Sequence, residues 1–252
     1  MLKTRVMPIV LLNGYNVVKS IQFSTFRVLG NPITVSQVYE SRGVDELVLL
    51  DIKATVEKRG PNTDIINDIS SECFMPLTVG GGIDSVSQVR EIIRSGADKV
   101  SINTAAVERP ELIREIAREF GAQCVVASID VRKEVDGSYF VYTHAGKVKT
   151  NLEAAAWAHE LELLGAGEIL LNSVDQDGTM KGYDLDLIKK VCGQVRVPVI
   201  ACGGAGELKD FSAAIKTGGA DAVAAASIYH FTSETPKSVK EFLRKEGVPV
   251  RL

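Results

Sequence analysis

The chain has 252 residues, 45% of them hydrophobic, and a formal net charge of -3. That length suits one α/β barrel of about 250 residues and argues against a second domain. The absence of any dense Lys/Arg run argues against nucleic acid as a partner. No run approaches the roughly 18 apolar residues of a membrane span, and Met1–Pro8 is too short in apolar residues for a signal peptide, so the expected location is the cytoplasm. Cys73, Cys124, Cys192 and Cys202 are scattered without a CxxC pair and read as buried, reduced thiols rather than a metal site.

Arg5–Leu12 is almost wholly apolar, as befits a strand covered on both faces. Tyr15–Pro32 follows with β-branched residues on either side of Lys19 and no helical period; its length predicts an ordered flap over the barrel mouth, with Lys19 as its anion contact. A helix is expected over Val35–Gly43, and a second strand over Glu46–Ile52 places Asp51 at its carboxyl end. A helix at Asp64–Ser71 leads into Leu77–Gly80 and the glycine turn at Gly81 and Gly82. Val86–Ser95 is helical, Lys99–Ile102 is the fourth strand, and Asn103 and Thr104 follow it. Glu108–Phe120 reads as one long helix, and Cys124–Asp130 as a strand that ends on a carboxylate.

Val131–Thr150 alternates like a small hairpin turning at Asp136-Gly137, with His144 as a loop residue. A helix at Leu152–Leu164, a strand at Glu168–Ser173 and a polar loop at Val174–Thr179 come next, and a helix at Leu185–Val191 leads to the strand beginning at Val199. That strand opens into Cys202-Gly203-Gly204-Ala205-Gly206. Asp210–Thr217 is a helix, Ala222–Ala226 the eighth strand ending at Ser227, and Pro236–Lys245 the last helix before the tail at Gly247–Leu252.

Eight strands alternating with helices predict a parallel sheet closed into a (β/α)8 TIM barrel. Three echoes in constant order divide it into half-repeats at about residues 1–121 and 122–252. Glu46–Leu50 is answered by Glu168–Asn172, Leu77–Gly82 by Val199–Gly204, and Gly96–Val100 by Gly219–Val223. Chemistry in such a barrel sits at the carboxyl ends of the strands. Two anion corners are expected there, Gly81-Gly82 with Asn103-Thr104 and Gly203-Gly204 with Ser227, so a ligand with a phosphate at each end would span the mouth. Asp130 is placed where a general acid or base would be needed.

These residues resemble the cyclase subunit of imidazole glycerol phosphate synthase over essentially the whole chain. The likeness is carried by Val17–Lys19, Leu50–Ile52, Val79–Ile83, Ser128–Asp130, Gly165–Leu170, Asp177–Thr179, Gly182–Asp184 and Gly203–Gly206. The resemblance implies that Asp130, Lys19 and Asp51 serve catalysis. It implies phosphate binding by Gly81, Gly82, Asn103, Thr104, Asp177, Gly178, Gly203, Gly204, Ala226 and Ser227. It further implies an ammonia entrance ringed by Arg5, Glu46, Lys99 and Glu168 and a separate glutaminase partner touching Asp98. The sequence itself carries no metal cluster, dinucleotide fingerprint or nucleophile-base pair, so neither metal nor cofactor is expected.

One departure stands out. The family's second catalytic aspartate belongs at the end of the first strand, where this chain has Val10-Leu11-Leu12. Loss of one partner of an acid/base pair typically lowers the rate by about two to four orders of magnitude. The first-strand leucines, Glu72–Pro76 and Val197–Gly206 resemble instead the cyclase-like proteins of acetamidino modification in surface-sugar pathways, whereas the tail Gly247–Leu252 looks like the histidine enzyme. The favoured expectation is therefore a subunit that passes ammonia to a sugar amidotransferase. The alternatives are a true cyclase of histidine biosynthesis and a phosphate-ligand-binding activator of a glutaminase that turns nothing over itself.

Overall fold

The structure, a computed structural model, describes residues 3–252; Met1 and Leu2, with which the stretch read for a leader begins, lie outside the described residues. Its twelve strands are β1 (Arg5–Asn13), β2 (Asn16–Ile21), β3 (Thr25–Gly30), β4 (Leu47–Asp51), β5 (Leu77–Gly80), β6 (Lys99–Ile102), β7 (Val125–Lys133), β8 (Tyr139–Thr143), β9 (Val148–Glu153), β10 (Glu168–Ser173), β11 (Val199–Cys202) and β12 (Ala222–Ala225). Eight of them pair in parallel in the order β10-β11-β12-β1-β4-β5-β6-β7, and pairing of β10 with β7 closes the ring. The protein is a (β/α)8 barrel. Closure leaves no edge unpaired among the eight ring strands, and both of their faces are covered.

The helices are α1 (Pro32–Ser41), α2 (Thr63–Glu72), α3 (Val86–Arg94), α4 (Thr104–Glu108), α5 (Glu111–Phe120), α6 (Ala154–Leu164), α7 (Leu185–Cys192), α8 (Leu208–Lys216), α9 (Ser227–Phe231) and α10 (Pro236–Lys245). Two apolar layers hold the fold. The larger lies between sheet and helices, where Leu47, Ile66, Ile113, Trp157 and Phe211 are buried. Each such side chain contributes about 1.5–3 kcal/mol on leaving water. The smaller fills the bore, where Met7, Val48, Val126, Ile200, Ala222 and Ala224 meet.

The repeated Gly-Ala-Asp triplets have a local cause. Asp98 accepts a hydrogen bond from the Leu77 amide at 2.8 Å, and Asp221 accepts one from the Val199 amide at 3.0 Å, so each pins the start of the strand before it. Gly96 and Gly219 make the turn ahead of each aspartate at φ +105° and +85°, a region that suits a residue without Cβ.

Several expectations are refined. The flap is a β-hairpin, β2 with β3, continuing from β1. Its turn puts Gln22 and Phe23 at positive φ. The helix expected from Val35 starts at Pro32, because the Asn31 side chain accepts from the Ile33 and Thr34 amides and Pro32 fits the first turn. The long helix at Glu108–Phe120 breaks at Arg109-Pro110 into α4 and α5, since proline cannot supply the continuing amide. The expected hairpin after Asp130 is a three-stranded antiparallel extension of β7 with β8 and β9.

Candidate functional site

At the amino-terminal ends of the strands, four charges close a ring. Arg5 reaches Glu46 at 2.7 Å and Glu168 at 2.9 Å, while Lys99 reaches Glu46 at 2.8 Å and Glu168 at 3.1 Å. The Thr78 hydroxyl also donates to Glu46. Signs alternate around the ring, so buried Glu46 and half-buried Glu168 each have two cations; an unpaired charge at the depth of Glu46 would be heavily penalised. Asp98 lies exposed on the same end of the barrel.

At the opposite end, one cavity of about 760 Å³ takes in residues from all around the mouth. Gly81 and Gly82, Asn103 and Thr104, Asp177 and Gly178, Gly203 and Gly204, and Ala226 and Ser227 all line it, together with Asp130, Lys19 and Asp51. The two glycine turns follow β5 and β11, four strands apart in a ring of eight, and so stand on opposite sides of one hollow. Backbone crowding forces glycine there: a Cβ on Gly82 would lie 1.9 Å from the Arg59 carbonyl oxygen, and one on Gly204 2.0 Å from that of Gly182. Asn103 and Ala226 start α4 and α9 with similar backbone angles, φ -118° ψ -81° and φ -132° ψ -62°, and neither helix has a side-chain cap. The leading amides of a helix have no partner within it, so both corners retain donors for an anion.

The carboxylates differ in what surrounds them. Asp51 is bound by Arg59 at 2.6 Å and accepts from the Lys53 and Ala54 amides at 3.1 Å each. Asp177 is bound by Lys19 at 2.9 Å, and both side chains are buried. The cation expected to meet an anion at the mouth is therefore paired with a carboxylate of the protein. Gln22 on the same hairpin donates its amide to the Asp177 carbonyl at 2.9 Å and its side-chain nitrogen to that of Asp175 at 2.8 Å, latching the flap to the loop after β10.

Asp130 alone of the three has no cation within bonding distance. Burial raises its pKa from 3.8 to about 7, against the lowering effect of hydrogen bonds from Asn172 at 3.2 Å and Asn103 at 2.8 Å, with the Asp177 charge adding to the rise. A carboxyl group that exchanges its proton near neutrality can both give and accept one in a reaction. Across the ring, β1 presents Leu11 to the cavity.

Asn172 was not singled out by the sequence, and His144 was read only as a loop residue. Asn172 ends an apolar strand in the way Asp130 does, which was the available signal. His144 lines the cavity from the turn between β8 and β9 at φ +52°, its amide donating to the Thr104 hydroxyl at 3.0 Å. Four buried oxygens on the cavity wall, Ser101 Oγ, Asn103 Oδ1, Asn172 Oδ1 and Ser227 Oγ, have no partner. Unsatisfied polar atoms around one hollow suit a polar ligand.

Fold and site together define a (β/α)8 barrel whose mouth holds two opposed glycine corners and, between them, a buried carboxyl group with no cation in bonding distance. Residues 5–235 match the family described as histidine biosynthesis protein, and the chain belongs to that family. It is 48% identical to the imidazole glycerol phosphate synthase subunit HisF of Dictyoglomus thermophilum and 49% identical to that of Chlorobium limicola, over 252 residues and the full length of both chains in each case. Both names are those of the synthase subunit, and the likeness of the first-strand leucines, Glu72–Pro76 and Val197–Gly206 to sugar-modifying proteins finds no support in them. No helix among the described residues is long and apolar enough to cross a membrane.

Proposed function

We propose that the chain is the cyclase-type subunit of an imidazole glycerol phosphate synthase, the activity in its relatives' names. Ammonia from a glutaminase docked beside Asp98 enters through the ring of Arg5, Glu46, Lys99 and Glu168. It meets, at the mouth, a ligand whose two phosphates occupy the opposed glycine corners. The observation that carries the reading is the placement of Asp130: an uncompensated carboxyl group between those corners, at the far end of a bore that starts at the charge ring.

In this reading Asp130 moves the proton during ring closure and cleavage, and Lys19 trades Asp177 for the incoming phosphate. Asp51, with both oxygens occupied, supports the turn at Lys53-Ala54 and so acts by holding the mouth in shape. Growth of a histidine auxotroph that lacks its own cyclase subunit tests the assignment. Rescue by this chain supports it, and rescue should vanish with Asp130→Asn.

A second reading has its own observation. Leu11, 9% exposed, occupies the wall where a partner carboxylate to Asp130 would stand. A barrel without that partner would suit delivery of ammonia to a protein that amidinates a surface sugar. Failure of rescue, together with glutaminase stimulation by the purified chain, would favour this reading.

A further inference from the structure

Asp130 is held by amides alone. Asn103 donates from just beyond β6 at 2.8 Å, and Asn172 donates from β10 at 3.2 Å. The two contacts are not equivalent. Asn172 is directly opposite Asp130 in the parallel pairing of β10 with β7, so side chains of the same height on adjacent strands face one another. Its other side is wedged: a Cβ on Gly203 would come within 2.8 Å of Asn172 Oδ1, so the glycine turn after β11 leaves the room this amide occupies. The amide thus spans from the turn to the carboxyl group, nine-tenths buried, with its Nδ2 aimed at Asp130 Oδ1.

We propose that Asn172 is a positioning residue that fixes the orientation and proton occupancy of the Asp130 carboxyl group. The inference rests on the reading of Asp130 as the acid/base group of the mouth. A donor to a carboxylate favours the ionised form, and both amides hold the Asp130 pKa down against burial, Asn172 at Asp130 Oδ1 and Asn103 at Asp130 Oδ2. The charged and titratable groups around Asp130 are few. Arg132 on β7 favours its ionisation, and Asp177 in the loop after β10 opposes it. Lys19 on β2 pairs with Asp177, Cys202 on β11 is a neutral thiol held protonated by burial, and Asn103 contributes no charge. Asn103 donates to the other carboxyl oxygen, so among the described residues the contact to Asp130 Oδ1 is made by Asn172 alone.

The test is the titration of Asp130 itself, followed by carboxyl 13C NMR on protein labelled at aspartate, with the resonance assigned by its absence in Asp130→Asn. In Asn172→Leu, which keeps the volume and removes the donor, the midpoint should rise by about one pH unit, a tenfold tighter hold on the proton. Asn172→Ala serves if the leucine variant does not fold, and should move the midpoint the same way. An unmoved midpoint in a folded variant overturns the proposal. The pH dependence of ammonia-driven synthase turnover separates the two layers of the argument. If it moves with the titration, both hold; if the titration moves and the rate profile does not, Asn172 keeps its role and Asp130 loses its place in the reaction.

Discussion

Asp130→Asn should make the protein more stable, and only where the pH is high. In the folded protein the pKa of Asp130 is raised from 3.8 to about 7. A raised acid contributes its stability in full below the unfolded pKa and loses it as pH rises through the folded one, because the unfolded chain releases the proton first. At about 1.4 kcal/mol per pH unit, the loss between 3.8 and about 7 amounts to ~4 kcal/mol. Asparagine has the same shape and cannot ionise. Its amide also has an acceptor at hand, since Asn103 Oδ1 and Asn172 Oδ1 are buried without partners and a half-turn of either side chain presents one. Relative to the parent, the variant should therefore gain about 3 kcal/mol more at pH 8 than at pH 5. In a domain of this size that difference is on the order of 10 °C in thermal midpoint. Calorimetry of both proteins at the two pH values measures it. A pH-independent difference, or a variant less stable at pH 8, would refute the assignment of Asp130 as a buried group that titrates near neutrality.

Other perturbations read different parts of the molecule. Leu11→Asp restores a carboxyl group across the mouth from Asp130 and, under the synthase reading, should raise ammonia-dependent turnover by about two orders of magnitude or more; an unchanged rate would remove the argument from the missing partner. Glu46→Gln leaves Arg5 and Lys99 with only Glu168 between them, and should lower unfolding free energy by ~3 kcal/mol in denaturant titrations. Gly204→Ala forces a Cβ to 2.0 Å from the Gly182 carbonyl oxygen at φ +112°, so loss of soluble folded protein, or destabilisation by more than about 2 kcal/mol, is expected. Lys240→Met removes the cation that meets Asp45 at 2.8 Å and the Gly43 carbonyl at 2.7 Å; thermal midpoint should fall by several degrees, as for other broken buried pairs.

The barrel was legible because its eight central strands are short apolar runs bounded by glycine, proline and acidic residues, and because the triplets at Gly96 and Gly219 mark the same staple twice. The hairpin over the mouth was legible only as a flap. Hairpin turns that need two residues at positive φ usually show asparagine and glycine, and here Gln22 and Phe23 fill those places. The gathering of both glycine corners with Asp130 followed from strand order. The pairing of Asp51 with Arg59 and of Asp177 with Lys19 did not, because the partners lie 8 and 158 residues apart and nothing in their local pattern joins them. The same holds for Asn172, whose importance depends on a neighbour 42 residues earlier in the chain.

On the proposed ammonia route, the hydrocarbon packing between floor and rim, built from Met7, Val48, Val126, Ile200, Ala222 and Ala224, would sort solutes by valence. A bare ion entering such a lining would forfeit its hydration shell, a penalty of tens of kcal/mol in the limiting case. Whatever took that route would therefore have to do so uncharged, so an ammonium ion would first have to surrender a proton at the threshold. Passage would then track the uncharged fraction of the solute and quicken with alkalinity, independently of any titration at the rim.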